Sequence, residues 1–138
     1  MALINILLVD DEIDFRATLQ KRLRKRELKV MGVSSGEDAI ELLNRQDFDV
    51  VVLDVRMEGM DGIEALKEMK RLYPLVEVIM LTGHAEVEAA VQGMELGAFD
   101  YLMKPMNIDD LLYKIQDAYK KKSIHEKKIR DAEKAIEK

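Results

Sequence analysis

The run DVVVL, residues 49–53, constrains the fold more than any other segment of the chain. A strand with one wet face alternates apolar and polar residues. Four successive apolar residues, Val50–Leu53, instead ask for burial on both faces, as in a parallel sheet covered by helices. Similar short runs recur at Leu3–Val9, Lys29–Val33, Val76–Leu81 and Phe99–Leu102. Between them lie stretches with apolar residues at helical spacing: Glu12–Arg26, Gly36–Arg45, Ile63–Tyr73, Glu86–Leu96 and a last one from Ile108 to Tyr119 or beyond. Pro74 closes the third helix and Gly97 suits the C′ position of the fourth. Five strand–helix pairs joined by right-handed crossovers give a doubly wound α/β sandwich with a five-stranded parallel sheet. Sites in such sheets form beyond the carboxyl ends of the strands, near a switch in strand order.

The 138 residues suffice for one domain with its own core. Ample Leu, Ile and Val beside the 36% charged fraction exclude disorder for most of the chain. The absence of Cys excludes disulfides, thiolate metal sites and a cysteine nucleophile. It also fits a reducing compartment, so a cytoplasmic location is expected. No apolar run approaches the ~18 residues of a membrane helix, and no signal peptide is visible. Residues 1–119 carry 14 Lys+Arg against 23 Asp+Glu, whereas residues 120–138 carry 8 against 4. The acidic body is therefore not a nucleic-acid surface by bulk charge, and no direct nucleic-acid contact is expected from it.

The chemistry lies at the carboxyl ends of the strands. Asp10, Asp11 and Glu12 come after the first, Asp54 after the third, Thr82 after the fourth, and Lys104 and Pro105 after the fifth. Each has an ordinary structural reading: an acid or threonine can cap a helix, and a lysine can be a solvated charge. Together they place carboxylates, a hydroxyl and an ammonium at one edge. Clustered carboxylates repel unless a hard cation binds them, and oxygen ligands with open positions suit Mg²⁺. A neighbouring Lys and hydroxyl fit a phosphoryl group beside that metal.

The segments LLVDDE, VVLDVRMEGMDG, LTGHAE and YLMKP, in this order, resemble the signatures of bacterial two-component response-regulator receiver domains across about residues 3–120. The resemblance implies a flavodoxin-like (βα)5 fold with strand order 2-1-3-4-5. It implies a phosphoryl group taken from a sensor histidine kinase in the presence of Mg²⁺. Asp54 would be the phosphoacceptor. Asp10, Asp11, Asp54 and the Arg56 carbonyl would hold the metal. Lys104 would pair with the phosphate, Thr82 would hydrogen-bond it, and Thr82 and Tyr101 would form the switch. Pro105 would follow a cis peptide bond. The output surface would be the face of helix four, strand five and helix five. Such a protein is a phosphoacceptor rather than a turnover enzyme. The stretch from Leu81 to Pro105 looks most like receivers of transcriptional regulators. Glu58 departs from the family pattern, which usually has Pro there, and His84 occupies a position implied to lie over the phosphate.

Three rivals remain. A flavin module of this fold needs a hydroxyl- and glycine-rich first loop, where this chain has DDE. An aspartate-nucleophile phosphohydrolase shares Asp, Thr, Lys and Mg²⁺, but DDEID does not match its usual nucleophile loop. A receiver acting without phosphate would not need the full acidic set. Past the receiver, taken as 1–122, residues 123–138 read as a helical extension or linker. Positions 108, 111, 115, 118, 122, 125, 129, 132 and 136 keep heptad spacing, with a polar break at Lys122 and His125. In that register Lys121 and Lys128 could pair with Glu126 and Glu133 of a second copy, making a homodimer through the C-terminal helix conceivable.

Overall fold

In the computed structural model, residues 3–57 and 59–137 are described. Glu58 lies outside them, as does the side chain of His84. Five strands, β1 (Asn5–Val9), β2 (Lys29–Val33), β3 (Val50–Asp54), β4 (Glu77–Thr82) and β5 (Asp100–Met103), alternate with five helices. These are α1 (Ile13–Arg24), α2 (Gly36–Arg45), α3 (Gly62–Leu72), α4 (Val87–Glu95) and α5 (Ile108–Glu137). All strand pairs are parallel, in the order β2-β1-β3-β4-β5. The expected doubly wound sheet and its strand order are therefore present.

Alternate residues of the central strands supply two separate cores. Leu7, Val9, Val51, Leu53 and Met80 pack with Ala39, Leu43, Ala65, Leu66 and Met69 of α2 and α3. Ile6, Leu8, Val50, Val52, Ile79 and Leu81 face the other way, against Leu19 and Leu23 of α1 and Leu111, Ile115 and Ala118 of α5. Every residue of β3 is buried, which is why its sequence shows no alternation. Helix starts are fixed by side chains: Ser35 Oγ accepts from Asp38 N at 3.1 Å, and Asp61 Oδ1 from Glu64 N at 2.9 Å. Gly62 is required by close approach, because a Cβ there would stand 2.5 Å from Val55 Cα and 2.7 Å from the Asp54 carbonyl oxygen. Gly97, at φ +105°, ends α4 in the left-handed region.

The strands β3, β4 and β5 sit one residue later than the apolar runs suggest. Asp54 and Thr82 are the last residues of their strands rather than the first of their loops. Helix α5 does not stop near Lys122 but continues unbroken to Glu137. Of the polar break in its heptad pattern, Lys122 turns inward while His125 is exposed: Lys122 Nζ lies 3.2 Å from Asp49 Oδ1 and 3.3 Å from Glu126 Oε2. Its neighbour Lys121 reaches the buried Glu77 at 3.3 Å. Lys121 and Glu126, candidates for pairing with a second copy, are thus already engaged within the chain. Beyond them Ile129 and Ile136 are exposed.

Candidate functional site

Strand order reverses between β1 and β3: the chain goes from β1 out to β2, then returns across it to β3. Loops diverge at that point and leave a crevice at the carboxyl edge. Asp10 comes directly after β1 and Asp54 ends β3, so both stand at this crevice. A pocket there is lined by Asp11, Glu12, Asp54, Arg56, Met57, Gly83, Glu86 and Lys104.

Asp10 is fully buried. Its Oδ1 accepts from Glu12 N at 2.9 Å and its Oδ2 from Lys104 Nζ at 3.2 Å. The guanidinium of Arg16 donates to the Asp10 carbonyl at 2.6 Å. Asp54, 7% exposed, accepts from Arg56 N at 3.3 Å and lies 3.6 Å from Lys104 Nζ. Lys104 thus bridges two carboxylates, and its ammonium also lies 4.1 Å from the centre of the Phe15 ring. The Lys104–Pro105 bond is cis, and Lys104 N donates to the Thr82 carbonyl at 2.7 Å. Thr82 is 1% exposed, and its Oγ1 has no hydrogen-bond partner among the described residues. A buried hydroxyl without a partner is costly, so an acceptor arriving there would find a ready donor. Tyr101, on β5, is 42% exposed.

The sequence-selected residues Asp10, Asp11, Asp54 and Lys104 are therefore brought together, with Arg56 and Thr82 flanking them, while Tyr101 stands apart on the β5 surface. Sequence patterns alone did not single out Phe15, Arg16, Gly83 or Glu86 for this site. Phe15 lies in the helical stretch Glu12–Arg26, but nothing local in the sequence ties it to Lys104.

One carboxylate oxygen each from Asp10, Asp11 and Asp54 lies within 4.8 Å of the others. The donors are all oxygen, suited to a hard cation, and a metal could be held there. Their electrostatics agree. Burial first, and the neighbouring Asp10 carboxylate second, push the Asp54 pKa up to about 6 against the opposing pull of Lys104. A cation between the acids would relieve both effects.

The raised pKa carries a stability consequence. Below about pH 4, Asp54 is protonated in both folded and unfolded chains and costs nothing. Above about pH 6 it is ionised in both, and folding bears the cost of burying the charge, on the order of 1–3 kcal/mol. In metal-free buffer, Asp54→Asn should therefore gain stability relative to wild type as pH rises from about 4 to 7.5, by that amount. Urea unfolding at both pH values checks this; a difference independent of pH would contradict the raised pKa.

The family model for the response regulator receiver domain matches residues 6–116. The transcriptional regulatory protein ZraR of Escherichia coli K12 is 44% identical over 115 residues, 83% of this chain and 26% of ZraR. The regulatory protein AtoC of the same organism is 38% identical over 135 residues, 98% of this chain and 29% of AtoC. The chain spans about a quarter of the length of these regulators. Among solved structures, a receiver domain protein from Clostridium thermocellum superposes with a TM-score of 0.85 at 32% identity, covering 88% of this chain and 98% of its own. NtrX from Brucella abortus gives 0.87 at 28% identity, covering 95% of this chain and 30% of NtrX. The chain belongs to the response regulator receiver domain family.

Proposed function

We propose that this receiver domain is a phosphorylation-dependent switch of two-component signalling in the cytoplasm, with Asp54 as its phosphoacceptor. The supporting observation is that a buried Asp54 lies within ion-pair reach of Lys104 and has a carboxylate oxygen within 4.8 Å of one from Asp10 and one from Asp11. An Asp54 carboxylate oxygen attacks phosphorus on a phosphohistidine of a sensor kinase. The new P–O bond forms as the P–N bond breaks, and its electron pair stays on the ring nitrogen, which takes up a proton. A magnesium ion held by Asp10, Asp11, Asp54 and the Arg56 carbonyl supplies positive charge to the phosphoryl oxygens when bound. Lys104 pairs with another phosphoryl oxygen, and the Thr82 hydroxyl donates to a third. Drawing Thr82 inward leaves room for Tyr101 to follow, which changes the face of α4, β5 and α5 offered to an output domain or partner. Moving such a switch from about 1:99 to 99:1 takes ~5.5 kcal/mol of differential binding. The protein is consumed as substrate rather than turning one over. The relatives are transcriptional regulators, so control of transcription is the output that the reading favours. The test is uptake of one phosphate from acetyl phosphate, dependent on Mg²⁺, by intact-protein mass spectrometry.

Residues 1–122 form the receiver in this reading, and 123–138 are a helical arm carrying the change onward. With Lys121 and Lys122 engaged by Glu77 and Asp49, homodimerisation would draw on Ile129, Ala132 and Ile136, with Lys128 opposite Glu133 of the second copy. Sedimentation of the full chain and of residues 1–122 is expected to show self-association in the full chain alone. If both are monomeric with and without beryllofluoride, the arm does not dimerise.

A further inference from the structure

The N–H of Gly83, which follows Thr82 in sequence, donates to Glu86 Oε2 at 2.9 Å. The other oxygen of Glu86 lies 3.6 Å from the Arg56 guanidinium. Gly83, Glu86 and Arg56 line the same pocket as Asp11, Asp54 and Lys104. A Cβ on Gly83 would stand 2.6 Å from Glu86 Oε2, so a side chain at 83 would push the carboxylate away. A carboxylate of this chain thus already takes one N–H of the pocket in which Asp54 stands.

A carboxylate and a phosphoryl group are both anions and both accept from N–H groups. They cannot share one donor, and in one pocket they repel. We propose that Glu86 is a built-in competitor of the phosphoryl group on Asp54, holding the Gly83 N–H until phosphorylation displaces it. Glu86 ends the short 3-10 turn His84–Glu86 that leads into α4. Its release therefore ties occupancy of Asp54 to the start of α4, and its presence raises the donor concentration needed to label the domain. The ordinary alternative is a reach-back cap, in which Glu86 only secures the turn. A cap affects stability without affecting labelling.

The inference rests on Asp54 being the acceptor, and the experiment separates the two. Full-length wild type, Glu86→Gln, Glu86→Ala and Glu88→Gln are labelled with acetyl phosphate and Mg²⁺ and followed by intact mass. Glu88 is an exposed α4 residue outside the pocket lining, so its variant controls for net charge. Both Glu86 variants are expected to half-label at roughly fivefold lower donor, the effect of one removed charge at short range, with Glu88→Gln unchanged. The Gly83 amide resonance should move in Glu86→Ala before any donor is added. Should Glu86→Ala fail to fold, the near-isosteric Glu86→Gln decides. Labelling curves equal to wild type, or an equal gain in Glu88→Gln, overturn the proposal while leaving Asp54 as acceptor. A wild type that takes no phosphate overturns both.

Discussion

Asp54→Asn is expected to take up no phosphate under conditions in which the wild type takes up one. The amide is a poor nucleophile and a weak metal ligand, yet nearly isosteric, and its oxygen can still accept from Arg56 N as the carboxylate does at 3.3 Å. The fold should therefore persist and the chemistry stop. The neighbouring acids test how exclusive the acceptor is. Both oxygens of Asp10 are occupied, one by Glu12 N and one by the Lys104 ammonium, and its carboxylate has no exposed surface. Such a group is held in place and is not poised to attack. The charge on Asp54 is opposed by its surroundings, since burial and Asp10 both push its pKa upward. A strongly desolvated carboxylate is the more reactive nucleophile once ionised. Intact mass of both proteins after acetyl phosphate treatment is the measurement. Equal labelling of wild type and Asp54→Asn would remove Asp54 from the acceptor position.

The sheet was legible because burial on two faces leaves a mark in consecutive residues. DVVVL carries that mark, and the β2 and α2 limits, Lys29–Val33 and Gly36–Arg45, are those the sequence suggests. The later ends of β3 and β4 have a simple cause. An apolar run ends at its last apolar residue, but the backbone ladder continues: Asp54 still pairs with Leu81, and Thr82 with Met103. Hydrogen bonding of the main chain is indifferent to whether the side chain is Leu or Asp. Partners far apart in sequence stayed hidden. Lys104 meets Asp10 across 94 residues and Lys122 meets Asp49 across 73, so no window along the chain shows either pair. For that reason Lys122 read as a polar break in the heptad pattern, whereas in the structure it pairs with Asp49 within a continuous α5. The Glu86 contact is local, three residues from Gly83, and the G-x-x-E spacing carried its signal. Within LTGHAE the hydroxyl of Thr82 is the more obvious phosphate ligand, and it masks that spacing.

Removing Asp11 should nearly abolish labelling at ordinary Mg²⁺, while removing Glu12, its neighbour in sequence, should not. Among the three clustered acids, Asp11 is the one on the surface, whereas Asp10 is built into the fold through Glu12 N, Lys104 and Arg16. Asp10→Ala would strip a buried network and confuse loss of metal with loss of structure. Asp11→Ala leaves that buried Asp10 network in place. Among the described residues, Glu12 enters this network through its backbone N–H, which survives truncation of the side chain. Groups that merely orient metal ligands commonly cost 10–100-fold in metal affinity or activity when removed, so loss of a carboxylate offered to the cation should cost roughly 100-fold or more. Because few protein ligands would hold the ion, weak affinity is expected at the outset, and raised Mg²⁺ should restore part of the labelling in Asp11→Ala. That partial rescue distinguishes a lost metal ligand from a damaged nucleophile, which no metal concentration repairs. Initial labelling rates across a Mg²⁺ titration give the result directly. If Asp11→Ala labels at the wild-type rate with the wild-type Mg²⁺ dependence, the acidic pair at the end of β1 serves only to start α1.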